Sequence, residues 1–252
     1  MNATTSTKSR DFSMTISIGY RHRERNILPE SMHSPRRIAH AAAVLLLLGC
    51  ACRAKEAGRL AVRRPDEVEF TATVHARPFD GGWIMPGYHA VVSKNGRMAH
   101  AALLAADVTD TEILDALEAL GAETGGNLSM DAWEERGNPR DPAPDRVVGG
   151  APVEVLLRLP GRAALVPLAD ALEDPGGRGL DLKLAGNRAN IPRWKSGCVV
   201  CLYSCPGSKI GNARYTVRDW SRKVTRFRAR PGALPPDGTR VGVVLRLKSR
   251  GV

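Results

Sequence analysis

The 252-residue chain contains few aromatic residues, few cysteines and no long apolar run. Only 5% of its residues are aromatic and five are Cys, which is too few for the disulfide-dense scaffold of small secreted domains. Its most apolar run, Ile38–Leu48, falls well short of the roughly 20 residues that span a bilayer. G-x-S-x-G, H-E-x-x-H, the Walker loop and a G-x-G-x-x-G after a strand are also missing. The sequence therefore indicates no particular enzymatic reaction.

The composition is that of a globular protein rich in turns. Apolar residues make up 43% and charged residues 25%, with 25 Gly and 17 Pro. Apolar and polar residues alternate in Val68–Val74, which predicts a half-buried strand, and further strands are expected at Val153–Leu159 and Val241–Leu247. Thr109 and Glu112 form a capping box ahead of a helix. The expected fold class is α+β, with a mostly antiparallel sheet, one or two packed helices and an irregular Cys-bearing C-terminal region.

Turn signals set the remaining local predictions. Lys94-Asn95-Gly96 predicts a hairpin between Tyr88–Ser93 and Met98–Ala105, because Asn-Gly favours the tight turn that joins antiparallel strands. Phe79–Gly87 is expected to turn, and Gly186–Asn212 is expected to be irregular. Shorter elements are predicted as follows: a second helix at Ser129–Arg136, a helical turn at Leu168–Glu173, and strands at Leu180–Leu184, Arg214–Val217 and Val224–Ala229.

The N-terminal segments predict export. Residues 1–31 have no apolar period and are interpreted as a disordered extension or a misassigned start, with Met32 as the true start. Residues 32–49 combine Arg36-Arg37 with a short apolar run, as in a secretory signal. The end of that run, Leu47-Leu48-Gly49-Cys50, resembles the lipobox of bacterial lipoproteins, which implies a lipid on Cys50. A buried core helix and a twin-arginine signal are the alternatives considered.

The predicted domain organisation follows from this predicted export signal. Residues 50–65 are expected to form a basic tether, and residues 66–252 a single α+β domain. The lipid would anchor the protein in the cell envelope, facing the periplasm or the exterior, without a transmembrane helix.

Positive charge is concentrated near the C-terminus. Residues 183–252 carry 16 basic and two acidic residues, whereas residues 50–182 have a net charge of −7. Aromatic residues interleave with this basic stretch, which in a cytosolic protein would suggest nucleic-acid binding. The export signal argues against that partner. The basic stretch is expected to be a solvated face, or to contact the chain's own acidic half, anionic lipid or an acidic protein redox partner.

Cys198, Cys201 and Cys205 form a C-x2-C-x3-C run followed by Pro206. This run matches the last three cysteines of a bacterial ferredoxin motif, but Lys195 stands where the first would be. Three thiolates could hold an iron–sulfur cluster or another metal. A structural disulfide with one remaining thiol, or a redox-active Cys198–Cys201 pair, are the alternatives. His89 and His100 are candidates for a further metal ligand.

The stretch at residues 87–107 and the one at 186–212 (GNRANIPRWKSGCVVCLYSCPGSKIGN) resemble the YdjY-domain family of bacterial envelope proteins. The resemblance covers roughly residues 66–250. It implies an exported, often lipid-anchored protein with its site at the Cys cluster, and some members carry a ferredoxin-like iron–sulfur label. The resulting prediction is a lipid-anchored protein that binds an iron–sulfur cluster for electron transfer or metal handling. The alternative is a non-enzymatic interaction module with a disulfide-stabilised Cys loop and a basic docking face.

Overall fold

The computed structural model describes residues 60–125, 128–138 and 146–248. The predicted extension, the signal segment, the lipidation site Cys50 and residues 50–59 of the predicted tether lie outside the described residues. Within the predicted tether of residues 50–65, Ala61–Arg64 forms a strand that pairs with the domain.

One large mixed sheet organises the domain. In chain order its strands are β1 (Ala61–Arg64), β2 (Glu67–Val74), β3 (His89–Ser93), β4 (Ala102–Ala106), β5 (Val153–Arg158), β6 (Val166–Pro167), β8 (Leu182–Leu184), β9 (Cys198–Cys201), β10 (Ile210–Asn212) and β12 (Arg240–Leu247). The spatial order is β6-β5-β12-β2-β4-β3-β9-β10-β8, with β1 on β2. The short strands β7 (Leu172–Glu173) and β11 (Arg228–Ala229) form a separate pair.

Most strand pairs are antiparallel, and β3/β4 and β9/β10 are parallel. The helices are short: α1 (Ala76–Gly81), α2 (Asp110–Ala119), α3 (Asp131–Glu134), α4 (Ile191–Trp194) and α5 (Val217–Ser221), and 3₁₀ turns lie at Ala99–Ala101, Glu135–Gly137, Leu168–Ala171 and Arg188–Asn190. This arrangement confirms the predicted α+β class with a mostly antiparallel sheet.

The C-terminal strand β12 lies in the middle of one half of the sheet, between β5 and β2. Val243 is opposite both Phe70 of β2 and Leu157 of β5, and all three side chains are buried. The alternation predicted for residues 68–74 is visible as alternating burial along β2. The strands predicted at residues 68–74, 153–159 and 241–247 are therefore confirmed to within a residue or two.

The predicted capping box also forms. The Thr109 hydroxyl accepts a hydrogen bond from the Glu112 backbone N–H at 3.1 Å, and Glu112 accepts one from the Thr109 backbone N–H at 2.8 Å. Helix α2 then buries Ile113, Leu114 and Leu117 against the sheet. A local polar signal and a periodic apolar face agree here, which is why this helix could be predicted.

The predicted hairpin around Asn95-Gly96 is wrong, because β3 and β4 are parallel. A turn does form, since the Gly96 N–H donates to the Ser93 carbonyl. The chain then pairs with the segment before β9: Arg97 N–H donates to Lys195 O, and Met98 N–H to Ser196 O. A Cβ on Gly96 would lie 2.3 Å from Ser196 O, so only glycine fits this crossing.

Two other local predictions need correction. Residues 186–212 were expected to be irregular, but they contain α4, β9 and β10. The strand predicted at residues 214–217 is replaced by the start of α5, where Thr216 and Asp219 form a second capping box. The strands within residues 186–212 form because they pair with distant strands, and α5 begins where it does because of its capping box. Short-range hydrophobic alternation reveals neither the pairing nor the capping.

Candidate functional site

A β-bulge places Cys198 and Cys201 on the same face of β9. Residues three apart on a regular strand point to opposite faces, because side chains alternate with a period of two. In the β3–β9 ladder, Val92 faces Cys198 and Val91 faces Val200, so Val199 is an extra residue on β9. A second irregularity, between His89 and Val91, leaves Ala90 as an extra residue on β3. Each extra residue shifts the alternation of its strand by one position. Cys201 is directly opposite His89, and the His89 imidazole contacts both sulfurs, so the two cysteines lie on the side of the sheet that His89 occupies.

Cys198 and Cys201 are joined by a disulfide, with their Cα atoms 6.5 Å apart. The His89 Nδ1 atom lies 3.3 Å from the Cys198 Sγ and 3.7 Å from the Cys201 Sγ. One ligand atom from each of the three residues lies within 4.8 Å of the others. Because all three residues are buried, this sulfur–imidazole group has almost no contact with solvent.

His89 is a neutral imidazole at physiological pH. Burial, with a smaller contribution from His100, lowers the pKa of His89 to about 3. Its Nε2 atom has no hydrogen-bond partner among the described residues. The Tyr88 ring packs edge-on against the imidazole, with a centroid distance of 4.8 Å. His89 is therefore buried among apolar groups, where its imidazole contacts the two sulfurs and is shielded from solvent.

Cys205 lies apart from the sulfur–imidazole group. It is a buried free thiol, and its Sγ accepts a hydrogen bond from the Gly207 N–H at 3.4 Å. Burial raises its pKa, so the sulfur is protonated. Cys205 is not among the residues whose ligand atoms converge with those of His89. The structure thus brings together two of the three predicted cysteines and separates the third.

His100 also lies outside the group. It lies on the 3₁₀ turn before β4 with its side chain exposed, while His89 is buried on β3. The sequence predicts that the two histidines approach each other across a hairpin. Because β3 and β4 are parallel, no hairpin joins them, but His89 pairs with Ala102, and His100 lies close enough to contribute to the lowered pKa of His89.

A buried ion pair near Cys205 was not foreseen from the sequence. The Lys209 Nζ lies 2.6 Å from the Asp110 Oδ2, and it also donates to Gly207 O at 3.2 Å. The Lys209 side chain is only 2% exposed. Burial lowers the pKa of Lys209 although Asp110 raises it. Asn187 completes this corner by donating to the carbonyls of Cys205 and Ser208 at 3.1 Å each.

The acidic body of the domain neutralises much of the basic C-terminal third. The pairs that cross between the two parts include Lys183 with Asp181, Arg188 with Asp115 and Glu118, Arg193 with Glu134, Lys209 with Asp110, Arg218 with Glu135, Arg240 with Asp107, and Arg246 with Glu67 and Glu154. Of the destinations considered for the basic stretch, contact with the chain's own acidic half therefore accounts for many of its charges.

The comparison with protein-family models identifies the family of this chain. The chain matches the YdjY domain over residues 63–246, which is most of its length, so it belongs to the YdjY-domain family. It is similar to "Uncharacterized protein YdjY" of Escherichia coli (strain K12), with 28% identity over 160 residues that cover 63% of this chain and 67% of the relative. No solved structure matches the chain.

The described residues include no helix with the length and apolar character needed to cross a bilayer.

Proposed function

We propose that this protein is a lipid-anchored module of the bacterial cell envelope, facing the periplasm or the exterior, which binds a partner and is not an enzyme. The observation that carries the proposal is the buried Cys198–Cys201 disulfide. Disulfides persist in oxidising compartments, which agrees with the lipobox-like segment that ends at Cys50. The disulfide ties the bulged strand β9 to itself beside His89, so its role in this proposal is to stabilise the fold.

The donor set does not suit an iron–sulfur cluster. Such clusters are held mainly by three or four thiolates. Here two sulfurs are joined to each other, and Cys205 is a protonated thiol outside the group. The geometry therefore favours the disulfide-stabilised module over the cluster that the C-x2-C-x3-C run indicates.

The disulfide can be tested by differential alkylation of anaerobically purified protein. The protein is denatured without reductant, alkylated, reduced and alkylated with a second reagent. We expect the Cys205 peptide to carry the first label and the Cys198 and Cys201 peptides the second. First-label modification of all three cysteines, together with iron and visible absorbance in the native protein, would favour the cluster instead.

The location is tested separately through Cys50. We expect the mature protein to have a diacylated N-terminal Cys50 by mass spectrometry and to fractionate with membranes. A Cys50→Ser variant should lose both the lipid and the membrane fractionation. The matched control, Cys52→Ser, should keep both. An unmodified Cys50 in a membrane-free protein would contradict the proposed anchor.

A second function is favoured by the His89 geometry. If a dithiol reductant opened the disulfide, two thiolates and the Nδ1 atom would form a soft three-donor set suited to Zn²⁺ or Cu⁺. The test is metal retention by the reduced protein after desalting. One equivalent is expected in the parent and in a Cys205→Ser variant, and none in a His89→Phe variant. Equal retention by His89→Phe would eliminate this function.

A further inference from the structure

An apolar loop tip projects from the domain between α1 and β3. The loop runs from Gly82 to Gly87, and its Trp83 side chain is 91% exposed. The base of the loop is fixed, because Gly87 adopts a φ of +69° and a Cβ at this position would lie 2.2 Å from the Phe227 carbonyl oxygen. An indole this exposed contributes nothing to the core.

A pocket lies beside the base of this loop. It has a volume of about 370 Å³ and is lined by Pro86 from the loop and by Trp220, Ser221, Lys223, Thr225 and Arg226. The same chain segment exposes Val224 to 42%. The guanidinium of Arg226 donates to the backbone carbonyl of Asp80, which joins the segment to the end of α1. Exposed apolar groups and a pocket with a basic rim therefore share one region of the surface.

Three cations lie close together in this region without a carboxylate partner in the part of the chain that the structure describes. Within the described residues, Arg222 and Lys223 form no ion pair, and Arg226 contacts a carbonyl oxygen rather than a carboxylate. The nearby acid Asp80 uses its carboxylate to accept the Ala229 N–H. Arg228 is opposite Glu173 in the β7–β11 ladder, so it does not belong to the cluster of Arg222, Lys223 and Arg226. Positive charge that no ion pair of the described residues neutralises therefore lies beside the apolar loop tip.

We propose that this patch, made of Trp83, Trp220, Arg222, Lys223 and Arg226, docks the domain onto an anionic bilayer. Trp is favoured at the headgroup level of membranes, where one side of its ring is apolar and its N–H is solvated. Lys and Arg at the same level attract anionic headgroups. The pocket is large enough to admit a phosphate-bearing headgroup between Lys223 and Arg226.

The inference rests on the proposed anchor for its geometry. Nine residues lie between Cys50 and the first described residue, Leu60, and the ten Cα–Cα steps can span at most about 35 Å. A tether of that length keeps the domain within reach of the membrane surface. Docking then orients the domain, whereas the lipid alone only restricts its distance from the bilayer.

The test uses the whole chain bound to vesicles and measures quenching of tryptophan fluorescence by lipids brominated close to the headgroup. In mixed phosphatidylglycerol and phosphatidylcholine vesicles we expect strong quenching, most of which is lost in Trp83→Phe. The double variant Arg222→Gln/Lys223→Gln should weaken docking about 30-fold, which corresponds to about 1 kcal/mol for each charge. The control Arg162→Gln/Lys248→Gln removes the same charge from exposed positions outside the patch and should behave like the parent.

The outcomes separate this inference from the proposed anchor. A chain that stays on the vesicles while Trp83→Phe and the double variant are quenched like the parent would overturn the docking patch and leave the anchor intact. Equal quenching in pure phosphatidylcholine would also overturn it, since the charge would then have no role. A Cys50→Ser chain that leaves neutral vesicles but still shows Trp83-dependent quenching with added anionic vesicles would support docking independently of the lipid.

Discussion

The two sulfur environments near β9 differ in almost every respect. Cys198 and Cys201 are joined to each other and face a neutral imidazole. Cys205 is only four residues beyond Cys201, yet it is a free thiol in a corner that also holds the buried Lys209–Asp110 pair. The difference shows that the spacing of cysteines along the chain does not determine which of their sulfurs come together in the fold. The irregular β3–β9 register brings the first two sulfurs together, and Cys205 follows after β9 has ended.

The largest expected effect tests the neutrality of His89. With a folded-state pKa of about 3 and an unfolded value near 6.5, His89 binds a proton more readily in the unfolded state. Stability should therefore fall as the pH falls from 6.5 towards 3, by about 1.4 kcal/mol per unit. The free energy of unfolding should be measured with denaturant at several pH values. The parent should show this slope, and the His89→Gln variant should show a shallower one. The exposed control His100→Gln should have the same slope as the parent. If the His89→Gln variant showed the same slope as the parent, His89 would not be held neutral in the folded protein.

The second effect tests the corner around Cys205. Asp110→Asn removes the partner of a lysine that is 2% exposed, and we expect a loss of about 3 kcal/mol in the free energy of unfolding. The control Asp115→Asn, in the same helix, removes an exposed partner of Arg188 and should cost about 0.5 kcal/mol or less. Equal losses in the two variants, measured by chemical denaturation, would mean that Lys209 does not need its buried partner.

The third effect acts on the disulfide alone. Closing the short loop between Cys198 and Cys201 is worth about 2 kcal/mol by the loop-entropy relation. A dithiol reductant should lower the free energy of unfolding of the parent by this amount, and lower that of Cys205→Ser equally. It should leave a Cys198→Ala/Cys201→Ala double variant unchanged. A reductant effect that persists in the double variant would place the relevant disulfide elsewhere.

The smallest effect is expected at Cys205 itself. A serine hydroxyl can accept the Gly207 N–H that the thiol accepts, so Cys205→Ser should change stability by less than about 1 kcal/mol. Its metal content should equal that of the parent. Loss of bound metal in this variant would mean that Cys205 is a metal ligand together with Cys198 and Cys201. The two sulfur environments would then belong to one site.

Sequence reasoning predicted the parts of the fold that are encoded locally. The Thr109–Glu112 capping box and the alternation in β2 each depend on residues within one element, and both are present. The direction of β4 could not be predicted, because it depends on the crossing of Gly96 and Gly197, about one hundred residues apart. Local signals fix elements, whereas remote backbone contacts fix how these elements pair.

The site was predictable only in part for the same reason. The C-x2-C spacing identified two sulfurs that share a site, and His89 was named as a candidate partner. The register shifts between β3 and β9, and the exclusion of Cys205 from the group of His89, Cys198 and Cys201, depend on tertiary pairing, which no motif encodes. Lys209 gave no signal either, since a lysine in a basic stretch is normally solvated.

The central position of β12 has a consequence for how the domain is made. This strand lies between β5 and β2, so the edge that each of these strands presents to β12 stays unpaired until residues 240–247 are available. Pairings between such distant segments form late and slowly during folding. The sheet therefore cannot be completed before those residues have been synthesised. The same order leaves two unpaired strand edges exposed in any product truncated before Arg240, and such edges favour aggregation.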